Sequence, residues 1–203
     1  KMCDDIGLTI CATHEPNEEI IKNPEVVIEK LNTLNCSYTA LPYPKNMNFL
    51  DINVLDKFIE DINIAGSIFN KANKVLCYHN HALEFQKINS EIILERIYKN
   101  TNNKCIQGEP DIYWIQKGGH DPISWCKKLK NRLPLIHLKD FIMLNEHESY
   151  YAEIGNGNLD IKSIIREAKL SGCKWYIVEQ DECQGDPFIS IETSFNNLLE
   201  FVT

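Results

Sequence analysis

Short apolar, β-rich runs alternate along the chain with longer stretches in which apolar residues recur every three or four positions. The first run, IGLTICATH (6–14), reads as a strand. A helix follows over NPEVVIEKLNTLN, with Asn23 as N-cap and Pro24 in its first turn. CSYTALPYP (36–44) reads as the next strand, and Ile52, Leu55, Ile59, Ile62, Ile64 and Ala65 mark a long helix through residues 50–73. KVLCYHNH (74–81) is a third strand and SEIILERIYKN (90–100) the helix after it. A fourth run ends at Asp111, before a helix opened by Asp121 and Pro122. LPLIHLKD (133–140), the glycine-rich loop AEIGNGNLD and the helix IKSIIREAKLSG, stopped by Gly172, form the next unit. CKWYIVEQD (173–181) and the helix ISIETSFNNLLEFV close the chain. Six βα units in this alternation imply right-handed crossovers and a parallel sheet. An open doubly wound sheet and a barrel short of two units both accommodate the pattern, and periodicity does not choose between them.

Composition narrows the class. A 203-residue chain with 43% hydrophobic and 25% charged residues is sized for a single globular domain, 1–203, with a substantial core. The net charge of −8 opposes a nucleic-acid surface, which needs a basic stripe, and suits a site gathering carboxylates around a cation. No apolar stretch reaches the ~20 residues of a membrane span. The eight cysteines form no C-x-x-C pair, and several lie inside apolar runs, so a reduced, cytoplasmic protein is expected.

Candidate chemistry lies directly after the apolar runs: His79, His81 and Glu84 in YHNHALEF, Asp111 in PDIYW, His137, Lys139 and Asp140 in IHLKD, and Glu179 and Asp181 in VEQD. Residues two apart on a strand share a face, which pairs His79 with His81, His137 with Lys139, and Glu179 with Asp181. In parallel barrels the C-terminal strand ends converge on one mouth, where carboxylates and imidazoles can hold a divalent cation.

YHNHALEF, DIYW followed by GGHDP, LIHLKD, EIGNGNLD and WYIVEQD resemble, in this order, motifs of the sugar phosphate isomerase/epimerase proteins in the xylose-isomerase-like TIM-barrel superfamily. The resemblance implies a (β/α) TIM-type barrel and places the family's metal ligands on Glu84, Asp111, His137 and Glu179. Family members usually begin with two further βα units, so the chain reads as N-terminally incomplete, a fragment or a naturally short version. An oligomer covering the exposed sheet edges would follow.

The implied activity is a divalent-metal-dependent isomerase or epimerase, moving a proton on a sugar or keto-sugar through a metal-stabilised enediolate. One Mn²⁺ is the expected cofactor, with Mg²⁺, Co²⁺ or Zn²⁺ as alternatives. Glu179 is expected to take the proton and Glu84 to return it, while His14, His79, His81, Trp114 and Lys139 contact a small carbohydrate substrate. The rivals are a keto-sugar lyase or dehydratase on the same site, a crippled metal- or sugar-binding relative, and a metal-dependent endonuclease, which the acidic charge opposes. Each residue also has a plainer reading. His137 and Glu179 make a strand-end ion pair, Asp111 is a helix N-cap or turn aspartate, Glu84 is a solvated loop carboxylate, and Lys139 pairs with Asp140 or a neighbouring carboxylate. The G-N-G at 155–157 lacks a phosphate-loop pattern and reads as an ordinary strand-to-helix loop.

Overall fold

The structure is a computed structural model that describes residues 2–42, 44 and 47–202. The described chain divides into two compact units, residues 1–109 and 110–203.

The first unit opens on a short helix α1 (Met2–Asp5), and only the end of the first apolar run forms a strand, β1 (Thr13–His14). Two helices follow, α2 (Asn17–Lys22) and α3 (Pro24–Thr33), then β2 (Tyr38–Leu41). Tyr43, near the end of the CSYTALPYP run, lies outside the described residues. Next come the long helix α4 (Ile52–Lys71) and β3 (Val75–His79), a small hairpin β4 (Lys87–Ile88) and β5 (Glu91–Ile92), helix α5 (Ile93–Asn100), and β6 (Ile106–Glu109). The main strands pair in parallel in the order β1-β2-β3-β6. Helix α4 forms where the apolar spacing places it. Asp51 caps it by accepting from the Asn53 N–H, and Leu55, Phe58, Ile59, Ile62 and Phe69 bury one face. It lies so close to the segment before β6 that a Cβ at Gly66 would strike the Cys105 carbonyl.

Two sequence expectations need correction here. IGLTICATH is not one strand: β1 pairs only with β2, at the edge of this sheet among the described residues, so residues before Thr13 have no ladder partner. The helix expected over 90–100 begins only at Ile93. Asn89 and Ser90, both at positive φ, turn the chain so that Glu91 and Ile92 pair back onto Lys87 and Ile88.

The second unit carries α6 (Ile112–Lys117), α7 (Pro122–Lys128), β7 (Leu135–Leu138), an antiparallel hairpin β8 (Asp140–Met143) and β9 (Ser149–Ala152), α8 (Ile161–Leu170), β10 (Trp175–Val178) and α9 (Pro187–Val202). β7 and β10 pair in parallel, His137 beside Ile177. The β8–β9 hairpin has no counterpart in the sequence reading. Helix α9 is inverted relative to ordinary amphipathic practice. Ser190 and Ser194 are buried, while Phe188, Ile191, Phe195 and Leu199 form an exposed stripe at helical spacing. Among the described residues, no helix is long and apolar enough to cross a membrane.

Candidate functional site

In the first unit the strand ends bring three polar groups together. Parallel register sets His79, the last residue of β3, beside Glu109, the last of β6. Glu109 is fully buried, and its Oε2 lies 2.6 Å from His14 Nε2 and 3.4 Å from His79 Nδ1. One potential ligand atom from each of His14, His79 and Glu109 falls within 4.8 Å of the others. The rings of His79 and His81 meet edge to face at 5.1 Å. His14 and His81 also line a cavity of ≈ 750 Å³, with Asn17, Lys22 and Met47 among its other walls.

Glu84 stands apart from this trio. It sits in a short 3₁₀ turn, fully buried, where one carboxylate oxygen accepts from the Tyr78 hydroxyl and the other from the His81 backbone N–H, each at 3.0 Å. Burial raises its pKa to about 7 in spite of those donors.

In the second unit β7 and β10 deliver the other predicted groups. Asp111, fully buried, caps α6 by accepting from the Trp114 N–H at 3.1 Å, and pairs with His137 through an isolated parallel bridge. The N-cap reading and the site reading of Asp111 are therefore compatible, since the cap uses Oδ1 and Oδ2 faces Lys139 at 3.4 Å. His137 Nδ1 lies 2.9 Å from Glu179 Oε2. Asp111, His137 and Glu179 form a second trio with potential ligand atoms within 4.8 Å.

Lys139, 2% exposed, sits inside this carboxylate group, 2.9 Å from Glu179 and 3.1 Å from Asp181. Its Nζ also lies over the rings of Trp114 and Tyr151, at 5.4 and 5.7 Å from their centroids. Burial alone would lower its proton affinity, but Asp111, Glu179 and Asp181 outweigh that and hold the ammonium above its ordinary range. Burial likewise works to raise the pKa of Glu179. The hydrogen bonds and charges of His137 and Lys139 reverse this and keep it well below the usual carboxylate range.

Of the ion pairs expected for Lys139, those with neighbouring carboxylates form and the one with Asp140 does not. Asp140 turns the other way and accepts backbone N–H groups from Phe141, Gly155, Gly157 and Leu159, so that it organises the glycine-rich loop. A Cβ at Gly157 would collide with the Asp140 carboxylate, which explains why glycine stands there.

Sequence reasoning overlooked Glu109 and Tyr151. The signal for Glu109 was present in QGEPD, where Glu109 and Asp111 are two apart and follow an apolar run. Tyr151 belongs to the hairpin the pattern did not reveal.

The sequence matches, over residues 2–196, the family model described as xylose isomerase-like TIM barrel, and the chain belongs to that family. Among solved structures it is similar to a sugar phosphate isomerase/epimerase from Parabacteroides distasonis, with 28% identity and a TM-score of 0.81, covering 100% of this chain and 75% of that one. It also shares its fold with a xylose isomerase-like TIM barrel protein from Mycobacterium smegmatis solved in complex with magnesium, at 13% identity and TM-score 0.76, covering 99% and 75% of the two chains. A third such structure is the 3-keto-D-glucoside 4-epimerase of E. coli, at 13% identity and TM-score 0.69, covering 98% and 81%. None of the curated proteins matches the chain.

Proposed function

We propose that the protein is a divalent-metal-dependent isomerase or epimerase that moves a proton on a sugar or keto-sugar. The observation carrying this reading is the convergence of Asp111, His137 and Glu179 within 4.8 Å at strand ends of one unit. The donor set fits a divalent ion. It offers two carboxylate oxygens and one imidazole nitrogen, and the carboxylates of Asp111, Glu179 and Asp181 outnumber the one ammonium among them. Such a set suits Mn²⁺ first, with Mg²⁺, Co²⁺ and Zn²⁺ as alternatives, and the M. smegmatis relative was solved with magnesium. When bound, the ion supplies Lewis-acid stabilisation of negative charge developing on adjacent substrate oxygens.

The protein's own groups do the rest. Glu179 is the accessible member of the trio, its side chain 37% exposed against 0% for Asp111, so it is the carboxylate that can meet a substrate C–H. His137 and Lys139 keep it ionised, the form that can accept a proton. Trp114 and Tyr151, flanking Lys139, offer ring faces to the C–H side of a carbohydrate. Glu84 is left out of the ligand set, because both its oxygens are committed to Tyr78 and His81.

The test is incubation with three- to six-carbon keto-sugars and Mn²⁺ in D₂O, reading deuterium at the carbon beside the carbonyl. Exchange by the wild type, lost in Glu179→Gln while bound Mn²⁺ is measured in parallel, is the expected result. Exchange that survives the substitution would remove Glu179 from the chemistry. A protein that binds Mn²⁺ yet exchanges no substrate proton would end the isomerase reading.

A further inference from the structure

We propose that Lys139 is a resident cation that competes with the divalent metal for the same carboxylates, and that Asp181 is the place it retires to. The inference rests on the metal reading above. Lys139 Nζ is 2.9 Å from Glu179 Oε2 and 3.4 Å from Asp111 Oδ2, and both carboxylates belong to the proposed ligand trio. The third partner, Asp181 at 3.1 Å, lies outside that trio. An ammonium and a divalent ion cannot both take their best positions on one carboxylate oxygen, because like charges at such separations repel strongly when partly desolvated. The side chain is 2% exposed and bracketed by the Trp114 and Tyr151 rings, so it has little freedom to leave into solvent. The route open to it is a short shift of Nζ off Glu179 and Asp111 while it keeps Asp181. Lys139 thus sets how tightly the metal is held and neutralises the carboxylates until the metal arrives.

The test is Mn²⁺ affinity, by calorimetric or EPR titration of chelator-stripped protein, for wild type, Lys139→Met, Asp181→Asn and the double variant. Lys139→Met is expected to bind Mn²⁺ about tenfold tighter or more, since it removes a positive charge next to the ligands. Asp181→Asn is expected to weaken binding by leaving the ammonium on Glu179. The double variant decides between handover and general charge. If Asp181 acts through Lys139, Asp181→Asn has little effect once Lys139 is Met. Additive effects would overturn the handover, and unchanged or weaker binding by Lys139→Met would overturn the competition. If no variant binds Mn²⁺, both this inference and the metal reading fall. If wild type binds one ion and Lys139→Met binds no tighter, only this inference does.

Discussion

At the scale of single residues the least ordinary group is Glu84, a carboxylate with no exposed surface whose partners are a phenol and one backbone N–H. Burial raises its pKa from 4.5 to about 7, so in the folded chain it holds a proton that the unfolded chain releases between those values. The folded state then binds more protons than the unfolded one, and stability falls as pH rises from about 4.5 to about 7 and levels off above it. The whole effect is on the order of 3 kcal/mol. Glu84→Gln has no proton to lose, so the difference in urea-unfolding free energy between wild type and variant should change steeply between pH 5 and 7. A difference that stays constant across that window would show that Glu84 titrates normally. This residue also marks where sequence reading misleads. YHNHALEF places a glutamate three positions after a histidine, and nothing in that spacing tells a carboxylate turned into the packing from one turned toward a ligand. The ion pair of His137 with Glu179 was legible because His137 lies in β7 and Glu179 directly follows β10, two strands that pair in parallel. Glu109 was hidden by its neighbour, since Pro110 separates two carboxylates and the pattern alone does not say which one ends the strand.

Elements with strong periodicity were legible, and those defined by a turn were not. Helix α4 occupies nearly the span its apolar spacing implies, because one face is buried against neighbours that reward that spacing. The β8–β9 hairpin escaped because its strands are short and its outer positions exposed, leaving little hydrophobic contrast to read. Helix α9 was placed correctly, but its orientation could not be inferred. Burial of Ser190 and Ser194 comes from the glycine-rich loop, where the Ser190 hydroxyl donates to Glu153 and the Ser194 hydroxyl accepts from the Ile154 N–H at 3.0 Å. Asn197 donates to the Ile154 carbonyl on the same side. The energetic consequence reverses the usual expectation for size. Ser194→Ala should cost about 1–2 kcal/mol, since it strands a buried N–H. Phe195→Ala, on the exposed face, should change stability by no more than about 0.5 kcal/mol. Urea denaturation of both variants checks the order, and a costlier Phe195→Ala would mean that the exposed stripe is covered in solution.

For the molecule as a whole, a ligand that binds only the folded state stabilises it by mass action, and the metal proposal can be tested there without knowing a substrate. All three tryptophans, Trp114, Trp125 and Trp175, lie within residues 110–203, so intrinsic fluorescence reports the unit that carries Asp111, His137 and Glu179. With free Mn²⁺ at a hundred times its dissociation constant, binding contributes about 2.7 kcal/mol. For a chain of this size each kcal/mol moves the unfolding midpoint by roughly 2–4 °C, so a rise of about 5–10 °C over the chelator-treated protein is expected. The shift should grow with the logarithm of Mn²⁺ concentration and disappear in Asp111→Asn/Glu179→Gln. That variant removes two negative charges without removing volume, and Asp181 still pairs with Lys139, so the metal-free protein is expected to fold with a baseline midpoint lowered by the lost partners. The chain's net charge of −8 provides the natural control, since general attraction of cations to an acidic surface would raise the midpoint of wild type and variant alike. Equal shifts in both proteins, or a shift abolished by moderate NaCl, would assign the effect to that diffuse charge and leave the Asp111, His137 and Glu179 trio as an ion-paired strand end.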